Sequence, residues 1–209
     1  MFAAMNDSLE NSTIASALLP ILIHRGSGVG FVQQKETGGY RVVSWNDYAR
    51  EALRLCEYLR LQGIQAGDRV LLLSENCPEW GIAALAVMNL GATLVPVASM
   101  STARELMAVI QQSRAKFCFF STTAQAFLSL DKNSLPKYFA WDLQSKSPLE
   151  KITLGLALSE INPSQMKSEA TAVLIFASGT TGNPKAVPLS HRNILVNMKD
   201  STESVDADA

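Results

Sequence analysis

The sequence predicts an α/β protein with parallel sheets flanked by helices, and three observations carry that expectation. Short apolar runs at 69–73, 94–97 and 116–121 alternate with stretches whose apolar residues recur at helical spacing. The runs are apolar without alternation, as expected of strands buried on both faces. Strands separated by helices need crossover connections, and these produce a parallel sheet with helices on its faces. The chain has 209 residues, 47% of them hydrophobic and 18% charged, so it can bury a core.

The elements follow in order. Residues 1–43 read as an N-terminal helix and hairpin: Ile14, Leu18, Leu19 and Leu22 form the apolar stripe, and Thr37-Gly38-Gly39 turns between two short strands. Ser44 followed by Asp47 resembles a capping box. Tyr48, Ala52, Leu55, Cys56 and Leu59 then recur at helical spacing up to Gly63. After the strand at 69–73, Pro78 suits the first turn of a helix and Gly91 its left-handed end. A strand at 94–97 precedes a helix that Ser101 would cap, bearing Leu106, Val109 and Ile110, and the strand at 116–121 follows. Residues 138–141 add a fourth strand, 142–148 a polar connection, and 172–177 a further apolar strand. Ser190 caps a helix beginning near His191, and 201–209 reads as a tail with little to bury.

Residues 80–100 run without a charge for long enough to span a bilayer, but Asn89, Gly91, Thr93 and Pro96 interrupt them. A buried helix followed by a strand is the expected outcome. The 18 basic and 19 acidic side chains leave a charge of −1, which disfavours nucleic acid as a partner. Cys56, Cys77 and Cys118 are scattered without CxxC spacing and read as reduced core thiols. With only His24 and His191 for company, they suggest neither a cysteine nucleophile nor a zinc site, and no metal ligand is assigned. The N-terminus carries Asp7 and Glu10 and no basic residue ahead of its apolar stretch, unlike a signal peptide. A cytoplasmic location is expected, with no transmembrane helix and with peripheral membrane contact left open.

The chemistry is expected where the strand at 172–177 runs into Ser178, Gly179, Thr180, Thr181, Gly182, Asn183, Pro184 and Lys185. The two glycines permit turns whose consecutive N–H groups converge on one side, a nest that prefers an anion. Ser178, Thr180 and Thr181 add hydroxyl donors, and Lys185 adds a positive charge suited to phosphate oxygens. This is not the P-loop of NTPases. Counted from Gly179, Pro184 stands at the second glycine position, and Ala186 replaces the hydroxyl that would hold magnesium. On glycine content alone, a plain connection with a solvated lysine would serve equally well.

The string 174–187, Leu-Ile-Phe-Ala-Ser-Gly-Thr-Thr-Gly-Asn-Pro-Lys-Ala-Val, resembles the phosphate-loop signature of adenylate-forming (AMP-binding) enzymes, the superfamily of acyl-CoA synthetases, luciferases and peptide-synthetase adenylation domains. Residues 43–48, 89–97 and 188–193 are similar to further motifs of that family, so the likeness covers about residues 12 to 199. Ala177 stands where the family often has Thr, and Ala186 where it usually has Gly.

The resemblance implies that 44–200 is a partial AMP-binding (adenylation) domain, an incomplete N-terminal domain of the adenylate-forming fold. It implies an AMP-forming acid–thiol ligase of the acyl-CoA synthetase kind, using ATP and Mg2+ to activate a carboxylic, chiefly fatty, acid. CoA or an acyl carrier protein would be the acceptor. Lys185 and Thr180 would be the catalytic residues, with Ser178, Gly179, Thr180, Thr181, Gly182, Asn183, Pro184 and Lys185 around the nucleotide; His191 is left outside the catalytic set. The family's later Tyr-Gly-x-Thr-Glu segment, ribose-binding aspartate and C-terminal lysine find no match in this chain. Three expectations therefore stand side by side: the N-terminal portion of a ligase, an inactive nucleotide- or partner-binding module, and one half of a split ligase completed by a second chain.

Overall fold

The computed structural model describes residues 12–35, 38–143, 145, 147–160, 167–177 and 185–206. Its centre is a six-stranded sheet with strands β3 (Arg69–Leu73), β4 (Thr93–Val97), β5 (Phe117–Ser121), β6 (Lys137–Trp141), β7 (Thr171–Ala177) and β8 (Lys185–Ser190). The order across the sheet is β6-β5-β3-β4-β7-β8. Every neighbouring pair is parallel except β7 and β8, which form an antiparallel hairpin at the edge. The parallel sheet expected from sequence is present, but no strand was expected at 185–190, where β8 lies. The residues Lys-Ala-Val-Pro-Leu-Ser contain Pro188, which cannot donate to a ladder and is tolerated because β8 is an edge.

Alternation along the central strands feeds two separate cores. Val70, Leu72, Leu94, Phe117 and Phe119 face the core shared with the helices α1 (Ile14–His24), α2 (Trp45–Leu61) and α3 (Pro78–Asn89). Leu71, Leu73, Val95, Val97, Cys118 and Phe120 face the helices α4 (Ala103–Ser113) and α5 (Gln125–Leu128). A short helix α6 (Glu150–Thr153) and the long helix α7 (His191–Asp206) complete the chain. Leu195 of α7 joins the α1–α3 core, and α7 runs on through residues where the composition turns polar.

Local signals account for most of the boundaries. Ser44 caps α2, its hydroxyl oxygen accepting from the Asp47 amide at 3.1 Å, and Gly63 follows with φ +85°. Pro78 occupies the first position of α3, as expected, with Cys77 as its cap. The cap of α4 is Thr102 rather than Ser101. Thr102 Oγ1 accepts from the Glu105 amide at 3.2 Å, and Glu105 Oε2 accepts from the Thr102 amide at 2.8 Å. Ser101 has Arg104 three positions on and could not complete such a box. The antiparallel strands β1 (Val29–Gln34) and β2 (Tyr40–Ser44) turn through Gly38 and Gly39, both at positive φ; Thr37 lies outside the described residues.

The uncharged stretch 80–100 is α3 followed by β4. Ten of the twelve α3 residues are buried, because α1, α2 and the sheet surround it. Among the described residues, no helix is long and apolar enough to cross a membrane. Asn89, buried at the end of α3, donates to the Glu160 carbonyl at 2.9 Å and so holds the connection leading toward β7.

Gly81 in α3 packs directly on Tyr48, and an alanine Cβ there would overlap the Tyr48 hydroxyl. Burial, with the Cys77 and Glu79 charges behind it, pushes the Tyr48 phenol well above its usual range. Alanine is the better helix former by about 1 kcal/mol. Here overlap should outweigh propensity, so Gly81→Ala is expected to destabilise by about 1–3 kcal/mol in urea unfolding. Adding Tyr48→Phe should recover part of that loss, and full stability of Gly81→Ala alone would refute the close packing.

Candidate functional site

β3, β4, β5, β6 and β7 run in the same direction, so their carboxyl ends, Leu73, Val97, Ser121, Trp141 and Ala177, lie along one edge of the sheet. Consecutive crossovers leave that edge toward opposite faces: α3 follows β3 into one core, whereas α4 follows β4 into the other. Open α/β sheets bind ligands outside the carboxyl ends of their strands where connections diverge in this way. The hairpin β7–β8 is aimed at the same edge. Ala177 and Lys185 are its closing cross-strand pair.

Of the residues singled out from sequence, Ser178, Gly179, Thr180, Thr181, Gly182, Asn183 and Pro184 lie outside the described residues. Lys185 is described: it opens β8 and is exposed. Ala186 is not a loop residue. It pairs with Phe176 in the ladder, so the methyl that stands where the family usually has Gly lies on the hairpin stem. Ala177, where a hydroxyl was expected by resemblance, faces Lys185 across the stem.

The stem is tied down at its other end. The His191 amide donates to the Ala170 carbonyl at 3.2 Å and the Arg192 amide to the Ser168 carbonyl at 2.9 Å, while Arg192 pairs with Glu169 at 3.0 Å. Ser190 caps α7 as expected, its hydroxyl oxygen accepting from the Asn193 amide at 3.1 Å. His191 itself is 1% exposed, and its Nδ1 accepts the Ile14 amide at 3.2 Å. That amide is one of the unpaired donors in the first turn of α1, so His191 caps a helix that lies 177 residues earlier in the chain. Burial lowers its pKa to about 4, which keeps the ring neutral and the accepting lone pair available. Its role is structural.

Sequence reasoning missed a polar cluster at the carboxyl edge. Glu75, just beyond β3, accepts from Ser121 Oγ at 2.5 Å and from Thr123 Oγ1 at 3.1 Å, both beyond or at the end of β5. The signal was present as polar residues directly after two apolar runs, Ser74-Glu75-Asn76 and Ser121-Thr122-Thr123. Met100, three residues past β4, is 94% exposed at the same edge.

Residues 28–208 match the family model described as AMP-binding enzyme. The chain belongs to the AMP-binding enzyme family. A long-chain-fatty-acid–[acyl-carrier-protein] ligase of Arabidopsis thaliana is 27% identical over 193 residues, covering 80% of this chain and 26% of that one. A long-chain-fatty-acid–CoA ligase of Mycobacterium bovis is 31% identical over 146 residues, covering 66% of this chain and 24% of that one. This family member therefore spans about a quarter of the length of these relatives. In fold it is similar to acetoacetyl-CoA synthetase from Streptomyces lividans, with a TM-score of 0.75 at 23% identity over 90% of this chain and 33% of the other. It is also similar to the N-terminal subdomain of Klebsiella oxytoca NpsA, with a TM-score of 0.64 at 22% identity over 86% of this chain and 41% of the other.

Proposed function

We propose that this chain supplies the triphosphate-gripping part of an ATP-dependent acid–thiol ligase. The observation that carries the proposal is the hairpin β7–β8, whose closing pair Ala177–Lys185 lies at the carboxyl edge of a parallel sheet with Lys185 exposed. In this reading Gly179, Thr180, Thr181 and Gly182 orient the β- and γ-phosphates, Ser178, Asn183 and Pro184 shape the bend, and Lys185 offsets charge on the departing pyrophosphate. The acid's carboxylate attacks the α-phosphate, the bond to the β-phosphate breaks, and the acyl group then passes from AMP to a thiol, of CoA or of an acyl carrier protein. Magnesium would enter with ATP and neutralise phosphate charge. A fatty acid is the substrate class favoured by the relatives, two of which are ligases of long-chain fatty acids by name.

ATP–pyrophosphate exchange with a panel of fatty acids tests the proposal. The chain alone is expected to give none, because it has no match to the family's ribose-binding aspartate or C-terminal lysine. Exchange is expected when a chain carrying the remaining length of a related ligase is added. Exchange by the chain alone would contradict the partial-site reading, and silence in both conditions would favour a non-catalytic binding module.

A further inference from the structure

A hollow of about 680 Å³ lies between β1, the start of α2 and the first turn of α3, and no acidic or basic side chain lines it. Its size falls within the range of small-molecule sites. Its walls are aromatic: Phe31 comes from β1, Tyr48 from α2 and Trp80 from α3, with the side-chain amides of Gln33 and Asn76 also in the lining. Phe31 is held by stacking on Tyr48, with ring centroids 4.7 Å apart and planes inclined by 16°, and by an edge contact with Trp45 at 5.7 Å. Phe31 and Trp80 are each half-buried, so both keep ring surface open.

Tyr48 supplies the observation that points to a ligand. Its side chain is 6% exposed, and among the described residues nothing hydrogen-bonds to its hydroxyl. The hydroxyl is nonetheless not sealed from solvent. It sits against Gly81, which lines the same hollow. The fold makes room for it at a cost, since any Cβ at position 81 would overlap it and glycine weakens a helix interior. Phenylalanine at position 48 would keep the stack on Phe31 and remove that crowding, so packing alone has no use for the oxygen. Burial keeps the phenol protonated, so it offers an O–H donor.

We infer that this hollow binds a neutral, planar heteroaromatic molecule whose ring nitrogen or carbonyl oxygen accepts from the Tyr48 hydroxyl. A charged ligand would find no opposite charge in the lining, a saturated ring would not match the aromatic walls, and a ring without an acceptor would leave the hydroxyl unanswered. No described residue of β7 or β8 lines the hollow, so its ligand is independent of the nucleotide.

The test is titration of the 209-residue chain with nicotinamide, followed by backbone amide chemical shifts, with nicotinate and cyclohexanecarboxamide as comparison ligands. Nicotinamide is expected to shift the amides of Gln33, Trp80 and Gly81 saturably. Nicotinate, an anion, and cyclohexanecarboxamide, which lacks the aromatic ring, should each bind about tenfold more weakly. Tyr48→Phe keeps the ring and should weaken nicotinamide about fivefold, the loss of one neutral hydrogen bond, without lowering the urea unfolding midpoint. Trp80→Leu keeps an apolar wall without its planar face and should weaken nicotinamide by about fivefold as well. Equal affinity for nicotinamide and either comparison ligand, absence of saturable shifts, or unchanged nicotinamide affinity in Tyr48→Phe would each overturn the inference.

Discussion

Replacing His191 with alanine is expected to lower stability by about 3 kcal/mol, the largest loss anticipated for a single side chain here. The change removes a buried ring and leaves the Ile14 amide, in the first turn of α1, without its acceptor. α1 packs on α2 and α3, so the loss propagates into the main core. The same residue sets a pH dependence. Its folded pKa of about 4 lies below the ordinary value of 6.5, so the unfolded chain takes up a proton first as pH falls. Stability from the neutral ring is therefore complete above about pH 6.5 and is lost progressively down to about pH 4, at about 1.4 kcal/mol per pH unit. Urea unfolding of the wild type should lose about 2–3 kcal/mol between about pH 7 and pH 4.5, and His191→Gln should show a markedly flatter profile. Identical profiles for the two proteins would contradict the assignment.

What the sequence made legible follows the range of the interactions. The strands β3, β4 and β5 and the ends of α2 and α3 could be read directly, because continuous apolar runs, Ser44, Pro78 and Gly91 each act within a few residues. The cap of α4 was misplaced by one residue, since the decisive contact is the return of Glu105 to Thr102 rather than the mere presence of a serine. β8 was hidden by Pro188 and becomes intelligible only as an edge strand paired with β7. The role of His191 was beyond reach, because its partner is brought near only by the packing of α7 beside α1. Likewise, Arg41 and Glu79 are 38 positions apart, and nothing local announces their pairing.

For the candidate site, the residue types suggested a chemistry and the fold supplied an address. Lys185 was singled out from sequence as a candidate phosphate-binding charge because it follows Gly179 and Gly182. Its position at the carboxyl edge, opposite Ala177, depends on β7 pairing with β4 across the sheet. The polar group formed by Glu75, Ser121 and Thr123 went unread because β3 and β5 are adjacent in space and distant in sequence.

Lys185→Ala has the largest effect anticipated for ligand binding. A charge-assisted contact to phosphate contributes about 1.5–3 kcal/mol, so the affinity for ATP should fall by about 10- to 150-fold. The wild-type chain is itself expected to bind ATP only near millimolar concentration, since ordering a glycine-rich loop around a nucleotide costs about 1–2 kcal/mol per residue against about 1.5–3 kcal/mol per charge-assisted contact. Calorimetric titration with ATP, tripolyphosphate and adenosine isolates the contribution of the lysine. The account predicts that Lys185→Ala weakens ATP and tripolyphosphate together by at least tenfold and leaves adenosine unchanged, whereas equal tripolyphosphate affinity in wild type and variant would contradict it.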